Sequence, residues 1–435
     1  MKSVVNAFPI RVIRRYAEVS ICVFHRAFGT RNRIKITITN KIKRGVPILR
    51  EPGKWSDSRG PRAFPRAMND WFRLHDEAAI PSPALLLFRE RIEHNLRLMI
   101  EIAGGPARLR PHVKTHKLGP LVVWQIELGI TKFKSSTIAE TEMCATAGAP
   151  DVLLAFPQAG PNIARLCELA RRFPKTSFSV VADDSSNIRA LRESALAAGV
   201  TLGVFLDLDC GMHRTGIEPG ERAAELYGLI AGSRGLRPGG LHAYDGHLHE
   251  PAPALRRALC EEAFAPVLAL RAKLEGMGLP VPALVAGGSP TFPIHASHAD
   301  RECSPGTTVL WDFGYGDKLS DLPFQPAAVL LARVVSKPAA DRLCVDLGHK
   351  AVAAENPHPR VRFFELPDAV AVVHSEEHLV IETPRAGEFA VGRTLHGIPR
   401  HICPTVALHA EALIVEGGRV VETWPIAARA RRLTV

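Results

Sequence analysis

The chain lacks the features that would place it in several large classes. No apolar run approaches the ~20 residues that a membrane-spanning helix needs, so a membrane role is not expected. The eight cysteines, Cys22, Cys144, Cys167, Cys210, Cys260, Cys303, Cys344 and Cys403, include no C-x-x-C pair and no regular spacing. That excludes a disulfide framework and points to reduced thiols in the cytoplasm. Acid is scarce in one place. Residues 1–67 hold 16 Lys+Arg and 3 Asp+Glu. The remainder keeps 39 of the 55 basic and 41 of the 44 acidic residues, a net charge of −2. The formal charge of +11 therefore belongs to the leader, and the bulk of the chain offers no basic face for nucleic acid.

What is present suits a globular enzyme. The 435 residues, 46% of them apolar, give room for two domains or for one barrel with an appendage. The leader, residues 1–67, shows no clear helical or strand period. Three readings compete for it: a basic targeting peptide, a disordered arm for acidic partners, or translation from an upstream start. The last is favoured, because the sequence changes character at Met68-Asn69-Asp70-Trp71-Phe72. A secretory signal is not expected, since the apolar run Val19–Phe24 follows Glu18 directly and is too short.

From Pro83 to Ser289 short apolar runs alternate with amphipathic stretches. The runs are Ala84–Phe88, Leu109–Lys114, Lys132–Ser136, Val152–Pro157, Phe178–Ala182, Val204–Asp209, Gly239–Tyr244 and Ala283–Gly288. Arg89–Ala103 places Ile92, Leu96 and Met99 on one helical face, and the other intervening stretches behave likewise. Eight such repeats predict an α/β fold, a closed (β/α)8 TIM barrel over residues 68–300. An open doubly wound sheet is the alternative, but no G-x-G-x-x-G follows the first strand. Residues 301–435 alternate at period two between turns, which predicts a separate all-β domain with a hairpin at Glu416-Gly417-Gly418-Arg419.

The chemistry of a barrel sits at the C-terminal ends of its strands. There the sequence gathers Arg110-Pro111-His112-Val113-Lys114-Thr115-His116-Lys117. Cations crowded together disfavour another ammonium, so one of its lysines is expected to be partly neutral and able to attack an aldehyde. Strand ends at Asp207–Arg214, Tyr244–His247 and Gly287–Thr291 share that rim. Gly287, Gly288 and Ser289 read as a phosphate cradle, because glycine lets backbone N–H groups approach an anion. In the tail, His401 and Cys403 are spaced i, i+2. On a strand both would project from one face and could grip one metal ion, with open positions left for water or substrate.

The R-P-H-V-K-T-H-K stretch, the segment Asp209-Cys210-Gly211-Met212-His213-Arg214-Thr215-Gly216, Tyr244 in Tyr-Asp-Gly-His, and Pro399–Thr405 together resemble the D-threonine aldolase and D-serine dehydratase family. That family shares its barrel with alanine racemase. The resemblance runs from about Asn69 to the C-terminus. It implies that Lys114 carries pyridoxal 5'-phosphate as a Schiff base, that Arg214 approaches the cofactor's ring hydroxyl, and that Tyr244 contacts the cofactor. It also implies that Gly287, Gly288 and Ser289 hold the phosphate, that His401 and Cys403 bind a divalent metal, and that the protein is a homodimer. Zinc is favoured over manganese or magnesium because thiolate is the softer ligand.

The expected substrates are D-β-hydroxy-α-amino acids. His-x-Cys, together with Ser136–Glu140 and Leu153–Pro157, leans towards D-serine dehydratase; D-threonine aldolase is the alternative. A metal-free racemase, a pyridoxal phosphate carrier and a basic interaction protein acting through the leader are the rivals.

Overall fold

The structure is a computed structural model that describes residues 10–14, 17–21, 70–431 and 434. The expected start at Met68 and most of the leader lie outside the described residues. The chain divides into two units, Met1–Gly60 and Pro61–Val435. In the first, Ile10–Arg14 and Ala17–Ile21 pair as antiparallel strands, where the sequence shows no strand period.

In the second unit, seven parallel strands run in the order Lys132–Ser135, Asp151–Leu154, Ser177–Ala182, Leu202–Leu208, Leu236–Ala243, Leu284–Ala286 and Glu302–Cys303. The segment after Arg108 closes the ring. Leu109 bridges Cys303 and His112 bridges Lys134, both in parallel register. The result is a curled parallel barrel. Arg89–Ala103 and Pro161–Arg172 are helical over the predicted spans, whereas the helix Gly119–Glu127 had no sequence signal. Leu153, Val181, Phe205 and Val285, none more than 3% exposed, pack inside the barrel, and each contributes about 1.5–3 kcal/mol by leaving water.

The run Ala84–Phe88 is not a barrel strand. It pairs antiparallel with Ala328–Ala339 and parallel with Glu411–Glu416, inside a nine-stranded second sheet. Its residues are buried on both faces. Such a strand has no polar side to say which sheet it joins. Glu302–Cys303 takes the eighth barrel position instead. In the second sheet, Glu416 pairs with Arg419 across Gly417 and Gly418, both at positive φ, as a two-residue hairpin turn requires. Among the described residues no helix is long and apolar enough to cross a membrane, and all seven described cysteines are free thiols.

Candidate active site

Lys114 sits in a single 3-10 turn, Val113–Thr115, that begins where the barrel-closing segment ends. The strand expected as far as Lys114 stops at His112: Arg110 N–H and His112 N–H still donate across to Cys303 O and Pro305 O, but beyond them the chain bonds to itself, His116 N–H donating to Val113 O. The ring of His112 is buried and donates from Nδ1 to Lys134 O at 3.1 Å. Burial, with Lys114 and Lys134 nearby, holds it far below the usual histidine range, so it is neutral. Burial likewise pushes His116 down to about 3, and its Nδ1 accepts the Leu118 N–H. Lys117 is paired with Glu140, whose carboxylate also accepts from Ser136 N at the start of the Ile138–Thr146 helix.

Three cations converge on one ring. Lys114 Nζ lies 5.7 Å, Lys134 Nζ 5.6 Å and Arg214 Cζ 5.0 Å from the centroid of Tyr244. Arg214 is aimed by a tight loop. Asp209 accepts N–H bonds from Gly211 and His213, and Asp183 accepts from Gly216. Gly216 is obligatory there, for a Cβ would stand 2.6 Å from the backbone at Leu208 and Asp209. Lys134 was not singled out in the sequence. Burial, reinforced by the charge of Lys114, lowers its ammonium to about 7. Among the described residues neither Lys114 nor Lys134 has a carboxylate within ion-pairing distance. Nearby, His242 donates from Nδ1 to Asp207 at 2.7 Å, and among the described residues its buried Nε2 has no partner.

Gly287, Gly288 and Ser289 follow the strand Leu284–Ala286. A Cβ at Gly287, where φ is +70°, would stand 2.3 Å from the ring of His295, and one at Gly288 would stand 3.0 Å from the ring of Tyr244. Ser289 Oγ accepts the N–H groups of Gly306 and Thr307, so this loop is tied to the one after Glu302–Cys303. The Gly287 N–H is spent on Ala243 O. The donor set suits pyridoxal phosphate: the amines of Lys114 and Lys134 and the Arg214 guanidinium gather about Tyr244, and the His242 imidazole keeps a buried nitrogen to spare.

His401 and Cys403 are not on a strand. Thr394–Pro399 ends the strand, and a helix, Ile402–Leu408, begins at once with His401 as its N-cap. Pro404 in that first turn suits a helix start, where a missing N–H costs nothing. The pair is still brought together. Each side chain is near enough to the other to shift its ionisation. Burial opposes charge on His401, but the Cys403 thiolate and Glu355 outweigh it and lift the imidazole to about 9. Burial also opposes the Cys403 thiolate, yet the neighbouring His401 brings that thiol below its ordinary value. His401 Nδ1 is held by Glu355 at 2.6 Å. Cys403 Sγ lies 3.2 Å from Thr115 Oγ1 and 3.5 Å from Thr307 Oγ1. The N,S donor pair fits zinc, with Glu355 orienting the imidazole.

A second cluster, Asp245, Cys260 and His295, also brings ligand types together, fully buried. Its hydrogen bonds argue against a metal. Arg301 donates to His295 Nδ1 at 2.9 Å, so the proton of that ring is on Nε2 and points to Asp245 Oδ2 at 2.8 Å. An arginine beside the site and a protonated donor atom both oppose a cation. Asp245 also accepts from Thr291 Oγ1 at 2.9 Å, and Thr291 lies against Gly288, so this network braces the glycine loop.

Residues 89–311 match the alanine racemase N-terminal domain and residues 327–415 a serine dehydratase domain. The chain is 29% identical to a D-threonine aldolase of Arthrobacter sp., over 81% of this chain and 93% of that one. It is 30% identical to a 3-hydroxy-D-aspartate aldolase of Paracoccus denitrificans (strain Pd 1222), over 82% and 94%. It is 26% identical to a D-threo-3-hydroxyaspartate dehydratase of Delftia sp. (strain HT23), over 79% and 97%. The crystal structure of D-threonine aldolase from Filomicrobium marinum superimposes with a TM-score of 0.76 at 29% identity, covering 82% of this chain and 98% of that one. The chain therefore belongs to the family of D-threonine aldolases and D-serine dehydratases, with the fold-type III architecture built on the alanine racemase N-terminal domain.

Proposed function

We propose that the protein is a pyridoxal phosphate- and divalent-metal-dependent lyase that removes the β-hydroxyl of a D-amino acid, D-serine first, releasing pyruvate and ammonia. The observation that supports it is the seat of the Cys403 thiol, against the residue that follows Lys114. Lys114 holds the cofactor and, once released, moves the proton at the substrate α-carbon. Arg214 and Tyr244 position the cofactor ring, and Gly287, Gly288 and Ser289 receive its phosphate. His401 and Cys403 hold the metal, zinc by ligand softness. When bound, the cofactor supplies an electron sink and the metal a Lewis acid at the hydroxyl oxygen.

A retro-aldol cleavage of D-threonine to glycine and acetaldehyde is the second reading, and the higher identity to the two aldolases favours it. One assay separates the two. With D-serine and D-threonine offered to the metal-loaded enzyme, keto acid and ammonia support the dehydratase; glycine and an aldehyde overturn it in favour of the aldolase.

A further inference from the structure

The lysine that the mechanism leaves unused is Lys134. It lies on the barrel strand Lys132–Ser135, in register with Leu153 of the next strand, which faces the barrel interior. Its neighbour on the same face, Lys132, is paired with Glu302. Among the described residues Lys134 has no such partner. Lys134 is 2% exposed, and its Nζ lies 5.6 Å from the centroid of the Tyr244 ring, the same ring that Lys114 Nζ approaches to 5.7 Å. A lysine buried this deeply without a counter-ion is costly as an ammonium and rare unless it is used.

We propose that Lys134 is the proton-sharing partner of Lys114: its amine takes the proton that Lys114 must lose before Lys114 can capture an aldehyde. The inference rests on the reading of Lys114 as the cofactor's anchor. The transfer balances within the pair, since one ammonium becomes an amine and the other amine an ammonium. The groups facing Lys134 set where the shared proton lies. Lys114 and Arg110 repel a charge on Lys134, and Asp207 and Asp245, from further round the barrel, attract it. His112 and His242, both held neutral by burial, line the same space. The balance leaves Lys134 titrating near neutrality, where it can accept or return a proton. Lys134 acts through Lys114 and is a positioning residue for the chemistry.

The test uses the full-length apoprotein and pyridoxal phosphate itself. Capture is followed by the growth of visible absorbance from pH 6.5 to 10, trapped with borohydride and mapped by mass spectrometry. In Lys134→Met and Lys134→Gln, capture at pH 7.5 should slow by about tenfold or more, while the rate near pH 10 matches the wild type, because hydroxide then does the work. A profile unchanged from the wild type overturns the proposal. A second measurement needs no variant. In apoprotein carrying 13C-labelled lysine side chains, one lysine should titrate near neutrality, and it should vanish in any folded Lys134 variant. If no lysine titrates well below the ordinary range, the proposal falls. If the trapped cofactor maps to a residue other than Lys114, the functional reading falls instead, and the lysine titration still stands by itself.

Discussion

Thr115 Oγ1 and Cys403 Sγ lie 3.2 Å apart although 288 residues separate them in the chain. The contact joins the turn that carries Lys114 to the first turn of the helix that carries the His-x-Cys pair. Had the two stood on different faces of the molecule, a metal ion on the pair could not reach a substrate held near Lys114. Their contact brings the two elements to one place.

The first prediction concerns that contact. Cys403→Ala should abolish bound zinc in protein purified with added zinc, as measured by metal analysis, and abolish turnover with it. Thr115→Val removes only a hydrogen bond to the sulfur. It should weaken zinc binding by about tenfold in a chelator competition, the lower end of what outer partners of a metal site contribute. Full zinc occupancy in Cys403→Ala would place the metal elsewhere.

Lys114→Ala tests the anchor. The variant should show no visible absorbance after incubation with pyridoxal phosphate and yield no borohydride-trapped peptide, while keeping the wild-type fold by circular dichroism. Lys114 is half-buried at the barrel mouth, so its truncation leaves the core intact. A trapped cofactor in this variant would move the anchor to Lys134 or another amine.

How much of this was legible in the sequence follows from what each residue type signals. The barrel was readable because apolar runs recur between amphipathic helices. The Ala84–Phe88 run was assigned to the wrong sheet because a strand buried on both faces carries no address. Glu302–Cys303 was invisible because two residues make no pattern, and Glu302 is polar inside a barrel for the sake of Arg110 and Lys132. The His-x-Cys pair was legible as chemistry and misread as geometry; Pro404 was the clue to a helix start. Lys134 gave a faint signal that went unused. In Lys-Phe-Lys the two lysines share one face of a strand. In a barrel strand whose other face packs on helices, that face must be the interior.

The Asp245, Cys260 and His295 cluster should hold no metal. Cys260→Ala is expected to keep the zinc stoichiometry of the wild type, since the donation from Arg301 to His295 Nδ1 fixes the wrong tautomer for a ligand at Nε2. Asp245→Asn should instead loosen the glycine loop through Thr291 and raise the dissociation constant for pyridoxal phosphate. Loss of one zinc per chain in Cys260→Ala would contradict the hydrogen-bond argument.

Gly287→Ala probes the same loop from the other side. The added methyl would meet the buried ring of His295 at 2.3 Å, on a backbone at φ +70° that only glycine adopts freely. The loop must shift, and the expected result is at least a tenfold weaker hold on pyridoxal phosphate, read by equilibrium dialysis. Thermal stability should also fall, by an amount in the range of about 1–3 kcal/mol typical of overpacking. An unchanged dissociation constant would separate this loop from the cofactor.

The last prediction follows from the charges at the barrel seam. Arg110 is 2% exposed and donates to Glu302 at 2.8 Å and to Asp151 at 2.7 Å. Burial opposes the charge on Glu302, but Arg110 and Lys132 outweigh it and hold the carboxyl below its ordinary 4.5. Its folded value is thus depressed relative to the unfolded chain. The stabilisation is complete above the unfolded value, and it is lost as the pH falls through the folded one. At pH 7, Glu302→Gln should cost about 2–3 kcal/mol, less than the ~3–5 kcal/mol of a buried charge stripped of its only partner, because Asp151 still faces Arg110. Urea unfolding at a series of pH values should show the gap between variant and wild type constant from pH 6 to 8 and shrinking below pH 4.5. A gap that widens in acid would mean that Glu302 is held protonated, and that the ion pair does not close the seam.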